Sequence, residues 1–123
     1  MKTIIAGPRD FFDARELELA ITDARKDGIE ITEVVCGKAE GVDTLGEEWA
    51  KKRGIPVKYF PANWNKYGKF AGRIRNGEMA TYGESLIALC YVIPSRGTFN
   101  MILQAKSRGL KVHVRIVKKG SES

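Results

Sequence analysis

Leu86-Ile87-Ala88-Leu89-Cys90-Tyr91-Val92 is the longest continuous apolar run of this chain, and it decides the fold. A run of this length without polar alternation is typical of a strand whose two faces are both covered, as in the centre of a parallel sheet. Residues 3–6 have the same character on a shorter scale. We therefore expect residues 86–92 to form a central strand.

On both sides of this run, short apolar segments alternate with longer amphipathic ones. Strands are predicted at residues 3–6, 33–36, 57–60, 86–92 and 112–116, and a helix at residues 71–82 follows an irregular stretch. Such alternation predicts an α/β fold of three layers, Rossmann-like, with a five-stranded, mostly parallel sheet and helices on both faces. We expect one domain over residues 1–117 and a disordered tail over residues 118–123.

Composition excludes several classes of protein. The 123 residues are 43% hydrophobic and 29% charged, which is ordinary for a soluble globular domain. No apolar run approaches the roughly 20 residues that cross a membrane. Two cysteines are too few for a disulfide scaffold, and His113 alone excludes a metal cluster of histidines. We expect a cytoplasmic protein, in a bacterium or a phage-infected host, with no metal and no cofactor.

The net charge of +6 is unevenly distributed. Residues 1–60 hold ten Lys/Arg and twelve Asp/Glu, whereas residues 61–123 hold eleven and three. A strongly basic half favours an anionic partner such as a nucleotide, a nucleic acid or a phosphate. The alternative is a basic surface that only keeps the protein in solution.

The turns that follow three of the strands carry the candidate site. Ligands of open parallel sheets bind beyond the carboxyl ends of the strands. Glycines there let a phosphate approach the backbone, and a helix start offers free N–H groups. The turns contain Gly7 and Arg9; Gly37, Lys38, Glu40, Gly41 and Asp43; and Ser95, Arg96, Gly97 and Thr98. Taken singly, each could be an ordinary tight turn. Neither a Walker A motif nor G-x-G-x-x-G is present.

The stretch over residues 61–76 combines aromatic and basic side chains. Trp64 and Tyr67 lie among four cations, and Arg75-Asn76 opens a predicted helix near the same sheet edge. Aromatic rings can stack on a base, and the cations can meet a phosphate. The alternative is that Trp64 covers the core and that the lysines are solvated.

Five collinear motifs resemble the YspA-type SLOG family of bacteria and phages, which is related to the DprA, Smf and Lonely Guy proteins. They are Gly7-x-Arg9, Gly37-x-Ala39-x-Gly41-x-Asp43, Pro61-Ala62-x-Trp64, Gly68-Lys69-x-Ala71-Gly72-x-x-Arg75-Asn76-x-x-Met79 and Ser95-Arg96-Gly97-Thr98. The resemblance covers residues 3–117 and implies a SLOG fold with strand order 3-2-1-4-5. It departs from the family at Asn63, where Asp is common, and at Pro8, where Ser is common.

The resemblance implies a site for a nucleotide or a nucleotide-derived ligand. The implied ligand-binding residues are Gly7, Arg9, Gly37, Gly41, Asp43, Trp64, Arg75, Asn76, Ser95, Arg96, Gly97 and Thr98. In Lonely Guy proteins a glutamate serves catalysis at the position held here by Met101. A reaction at an N-glycosidic bond would then need another carboxylate. The candidates are Glu40, Asp43 and Glu78, although Asp43 could instead cap a helix and Glu78 could be solvated.

Three functions remain open at this point. The first is a nucleotide-binding protein that senses or sequesters its ligand in nucleotide signalling or phage–host conflict. The second is an enzyme that cleaves or transfers at the N-glycosidic bond of a nucleotide, and the third is a DNA-binding domain resembling DprA. We also expect a homo-oligomer, a dimer or higher, because Trp64, Tyr67, Phe70 and Tyr82 are many large side chains for a small surface.

Overall fold

Five strands alternate with five α-helices in residues 1–119, the part of the chain that the computed structural model describes. The elements are β1 Lys2–Ala6, α1 Ala14–Lys26, β2 Glu33–Cys36, α2 Val42–Lys52, β3 Val57–Tyr59, α3 Trp64–Tyr67, α4 Ala71–Tyr82, β4 Ser85–Tyr91, α5 Arg96–Ser107 and β5 Lys111–Val117. A 3₁₀ turn, Gly68–Phe70, joins α3 to α4. The predicted order of the strands is confirmed, whereas α3 and the 3₁₀ turn lie in the stretch that the sequence predicts as irregular.

The five strands form one sheet in the order β3-β2-β1-β4-β5. All four pairings are parallel, with Thr3 aligned to Val34 on one side and to Ser85 on the other. The order 3-2-1-4-5 is therefore confirmed, and the sheet is parallel throughout rather than mostly parallel. The chain leaves β1 in one direction and returns at β4 in the other, so the switch point lies between these two strands.

Helices cover both faces of the sheet, which explains the unbroken apolar run of β4. Ile87 and Leu89 belong to the core cluster beneath α1 and α2. Leu86 and Ala88 belong to the cluster beneath α4 and α5. Because successive side chains point to opposite faces, a strand that is covered twice needs apolar residues at every position.

The two cysteines lie two strands apart, with β1 between them. Cys36 ends β2 and Cys90 lies near the end of β4, and both are free and buried, as the strand order requires. Burial raises the pKa of the Cys36 thiol to about 11, so the group is protonated at neutral pH.

The structure describes the first two residues of the predicted tail, residues 118 and 119. Lys119 Nζ lies 3.6 Å from Asp10 Oδ2. The rest of the predicted tail, residues 120–123, lies outside the described residues. Within residues 1–119, no helix is long and apolar enough to cross a membrane.

Candidate functional site

The loops after β1 and β2 are joined at the switch point by close backbone contacts. A Cβ on Gly7 would lie 2.7 Å from Val42 Cγ2 and 2.9 Å from the Leu89 carbonyl oxygen, so this position has no room for a side chain. Gly41 has a φ of +69°, and Val42 N–H donates to the Pro8 carbonyl at 3.2 Å. The two glycines therefore let β1, β4 and the start of α2 meet.

Arg75 extends from α4 to the loop after β2. Its Nη1 donates to the Gly37 carbonyl, and its Nε donates to Asn76 Oδ1 at 3.0 Å. A Cβ on Gly37 would lie 2.7 Å from Arg75 Nη1 and 2.8 Å from Asp43 Oδ2, so the absence of a side chain at Gly37 lets both groups approach its backbone. Burial lowers the pKa of Arg75, yet no acid of residues 1–119 lies within ion-pair distance of it.

Asp43 is buried beside Arg75, with 6% of the residue exposed. Its Oδ2 accepts a hydrogen bond from Ala39 N–H at 3.3 Å. Burial raises the pKa of Asp43 to about 6, although the Ala39 N–H and the charges of Arg75 and Arg9 act in the opposite direction. The alternative reading of Asp43 as a helix cap is wrong, because α2 is capped at Gly41 and Asp43 lies in its first turn.

Asn76 connects Arg75 to the start of α5. Its Oδ1 accepts from Arg75 Nε, while its Nδ2 donates to Asn100 Oδ1 at 3.1 Å and to the Gly97 carbonyl at 3.4 Å. This residue is buried, so its amide holds the two helices in one relative position.

The N-terminus of α5 opens beside these groups. Ser95 is its N-cap and accepts from Thr98 N–H at 3.3 Å, and the two hydroxyls are 2.9 Å apart. A Cβ on Gly97 would meet nothing within 4 Å, so the first turn of the helix borders open space. A helix start with accessible N–H groups is a favourable place for an anion.

Three cations, Arg9, Arg75 and Arg96, lie around this opening. A fourth, Lys38, is neutralised by an ion pair. Arg9 and Arg96 are exposed and, like Arg75, form no ion pair within residues 1–119. Lys38 has a φ of +62°, and its Nζ lies 3.1 Å from Glu47 Oε1.

Glu47 holds several partners at once. It also accepts from Tyr59 Oη at 2.7 Å and pairs with Lys51 Nζ at 3.0 Å. These contacts, led by the Tyr59 hydrogen bond, lower the pKa of Glu47 to about 2.

Three predicted residues form no side-chain hydrogen bond or ion pair with Arg75 or Asp43 within residues 1–119. Trp64 starts α3, 51% exposed, next to Gly72 and in a groove of about 410 Å³ formed by residues 61–65. Glu78 is exposed in a groove of about 900 Å³, and it lies about 200° around α4 from Asn76. Glu40 is exposed in the loop after β2. Of the three candidate carboxylates, Asp43 is the one beside Arg75.

The sequence reading missed two partners of the site. Asn100 receives the Asn76 amide, and Glu47 engages Lys38. The one signal for Asn100 is its position on α5, a turn after Arg96. Nothing in the local pattern indicates the ion pair between Lys38 and Glu47.

Comparisons with known proteins agree with this architecture. The chain is 29% identical over 119 residues to the Gene 61 protein of Mycobacterium phage D29, covering 90% of this chain and 93% of that protein. No solved structure matches the chain. The sequence pattern of the YspA, cpYpsA-related SLOG family matches residues 1–67, more than half of the chain. The chain belongs to the YspA, cpYpsA-related SLOG family.

Proposed function

We propose that this protein binds a nucleotide or a nucleotide-derived ligand at the carboxyl edge of the sheet, between β1 and β4, as a sensor or a sequestering protein. One observation carries the proposal. Arg9, Arg75 and Arg96 surround the opening at the switch point, and none forms an ion pair within residues 1–119. Asp43 lies beside Arg75, but three arginines outnumber this one acid and give the group a net positive charge, which favours an anion.

The phosphate is proposed to lie at the start of α5. Free N–H groups of the first turn and the helix dipole favour negative charge there, and Arg96 adds a full positive charge. Gly97 leaves space for the ligand, and Ser95 and Thr98 hold the turn in shape.

The nucleoside part is proposed to lie toward residues 37–41. Arg75 and Asp43 offer a donor and an acceptor at this end, which suits ribose hydroxyls or the edge of a base. Trp64 stays a candidate for stacking, because half of its surface is exposed.

A second candidate is an enzyme acting at the N-glycosidic bond, which is favoured by Asp43. A carboxyl group whose pKa is raised to about 6 can donate and accept a proton near neutral pH. The residue at the Lonely Guy glutamate position, Met101, is 1% exposed within the core, so it supplies no acid to the site. Of the three candidate carboxylates, we propose Asp43 as the acid or base of such a reaction.

The experiment begins with mass spectrometry of small molecules released from denatured, freshly purified protein. A thermal-shift series with nucleoside mono- and diphosphates and dinucleotides follows, with chromatography for free base. A co-purified or stabilising nucleotide without turnover supports the binding protein, and release of base supports the enzyme. If no nucleotide is found and none shifts the melting temperature, while DNA binds with steep salt dependence, the proposal fails.

A further inference from the structure

The outer edge of β5 is bordered by exposed apolar side chains from three elements. Eleven large hydrophobic residues are exposed in residues 1–119, and five of them border this edge. We call them the edge face: Leu19 of α1, Phe99 and Leu103 of α5, and Val114 and Ile116 of β5. Exposed apolar groups that are contiguous across elements mark an interaction surface.

Contacts of the two helices show that these side chains flank the same edge. On α5, Asn100 and Gln104 contact α4, so Phe99, which lies about 100° and 140° around the helix from them, is on the flank nearer β5. Leu103 lies between this flank and the outer side of α5, opposite the buried Met101. On α1, Glu16 and Asp23 pair with Arg115 of β5, at 3.1 and 3.5 Å.

Leu19 lies between Glu16 and Asp23 on the same flank of α1. The apolar residues of both helix layers therefore continue the surface of the strand.

The backbone of β5 also has unused hydrogen-bonding groups along this edge. Lys111 N–H donates to the Glu84 carbonyl of the neighbouring chain segment, so alternate residues of β5 turn toward β4. The N–H and C=O groups of Val112, Val114 and Ile116 then point outward. Within the described chain no strand pairs with them, and β5 has neither the proline nor the bulge that commonly protects an edge.

We propose that a second copy of this chain binds here, by antiparallel pairing of β5 with the partner's β5 about a two-fold axis at Val114. Val114 then faces its own symmetry mate, and Val112 faces the symmetry mate of Ile116. This register uses every outward backbone group of β5. The two sheets become one ten-stranded sheet, closed by an isologous contact.

The spacing of the layers fits this arrangement. Both α1 and α5 contact β4 and β5, so each lies over the boundary between these strands. When the partner's β5 is added beside β5, each helix lies about two strand spacings, or roughly 10 Å, from its symmetry mate. This distance is close to the roughly 8–10 Å at which helices pack. Phe99 and Leu103 would fill the contact on one face, and Leu19 would fill it on the other.

Area and charge also suit a second copy. A seven-residue strand flanked by two helices presents a face of roughly 600–700 Å², near the ~800 Å² per partner of stable complexes. Arg115 is neutralised by Glu16 and Asp23, so its own charge does not oppose pairing at the axis. The switch-point site, beyond β1 and β4, stays open, and this proposal does not depend on ligand binding.

A pair of cysteine variants tests the register. Val114→Cys would place two Cα atoms about 5.5 Å apart across the axis, within reach of a disulfide. Ile116→Cys, the matched control, would place them more than about 13 Å apart. Under mild oxidation at micromolar concentration, we expect the Val114→Cys protein to form covalent dimers at least tenfold more than the control. Equal yields, or none from Val114→Cys, overturn the register.

Mass measurement tests the face itself. Light scattering should give the wild-type protein twice its 13.7 kDa at micromolar concentration. Ile116→Glu should weaken the dimer at least tenfold, and Phe70→Glu, which alters a side chain of similar exposure elsewhere, should not. Circular dichroism confirms that both variants fold. A monomeric wild type, or a dimer lost with Phe70→Glu and kept with Ile116→Glu, overturns the proposal.

Discussion

Asp43 shows how a single buried group is expected to make stability depend on pH. Burial raises its pKa from 3.8 to about 6, so the folded protein holds this proton more tightly than the unfolded chain does. Stability should therefore fall as pH rises from about 4 to 6 and then level off. Asp43→Asn, which keeps an oxygen for Ala39 N–H, should lose this dependence and be more stable above pH 6 by about 1–3 kcal/mol. Urea unfolding between pH 4 and 8 measures this, and equal slopes for both proteins would contradict it.

Asp43 also shows why the role of a single residue is hard to predict from the sequence. An acid after a glycine-rich turn resembles an N-cap, but Gly41 adopts a positive φ and α2 starts two residues earlier than an N-cap at Asp43 would require. Whether a carboxylate caps the helix or accepts from the loop depends on the path of that loop. Likewise, the sequence offers Asp10 and Asp13 as caps of the first helix, and only the structure shows that Asp13 caps α1 while Asp10 Oδ1 accepts from Tyr91 Oη.

At the scale of elements, Glu47 joins α2 to the loop after β2 and to β3. Its contacts with Lys38, Lys51 and Tyr59 lower its pKa from 4.5 to about 2, so they stabilise the fold above pH 4.5 and are lost as pH falls through about 2.

Glu47→Gln should therefore cost about 1–3 kcal/mol at pH 7, and the difference should shrink toward pH 2. Glu48→Gln changes an exposed neighbour that forms no ion pair in residues 1–119, and it should cost less than about 0.5 kcal/mol. Denaturation curves at both pH values measure this. An equal loss in the two variants would count against the network.

Most elements were predictable because they have a local signal, whereas α3 and the 3₁₀ turn lie in the stretch that was predicted as irregular. The run at residues 86–92 corresponds to β4, Ser85–Tyr91, and the helix predicted at residues 71–82 is α4. Helical periodicity shows which residues of α4 share a face. Only the packing of α4 against its neighbours shows which of these faces borders the site. Glu78 and Asn76 are two residues apart, yet one is exposed in a groove and the other is buried against α5.

At the scale of the whole molecule, contacts between residues far apart in the chain could not be predicted from the sequence. The expectation of a homo-oligomer rested on Trp64, Tyr67, Phe70 and Tyr82, and it stays a prediction. The edge face draws residues from α1, α5 and β5, which only the assembled sheet brings together.

The fold also predicts an absent activity. Met101 is buried in the core at the position of the Lonely Guy glutamate, so no acid of α5 is available there for cleavage of a nucleoside monophosphate. We expect no release of adenine from AMP above a heat-denatured control. Met101→Glu would not restore the activity, because its carboxylate would be placed among apolar side chains. Robust release of adenine by the wild-type protein would contradict this expectation.

Calorimetric titration of arginine variants tests the central claim, a ligand site at the switch point. The ligand is the nucleotide that shifts the melting temperature most. A charge-assisted contact is worth roughly 1.5–3 kcal/mol and a solvated lysine well under 1 kcal/mol. Arg75→Ala and Arg96→Ala should each weaken binding by about tenfold or more with folding retained, and Lys118→Ala by less than about twofold. Equal, small changes in all three variants would contradict the account.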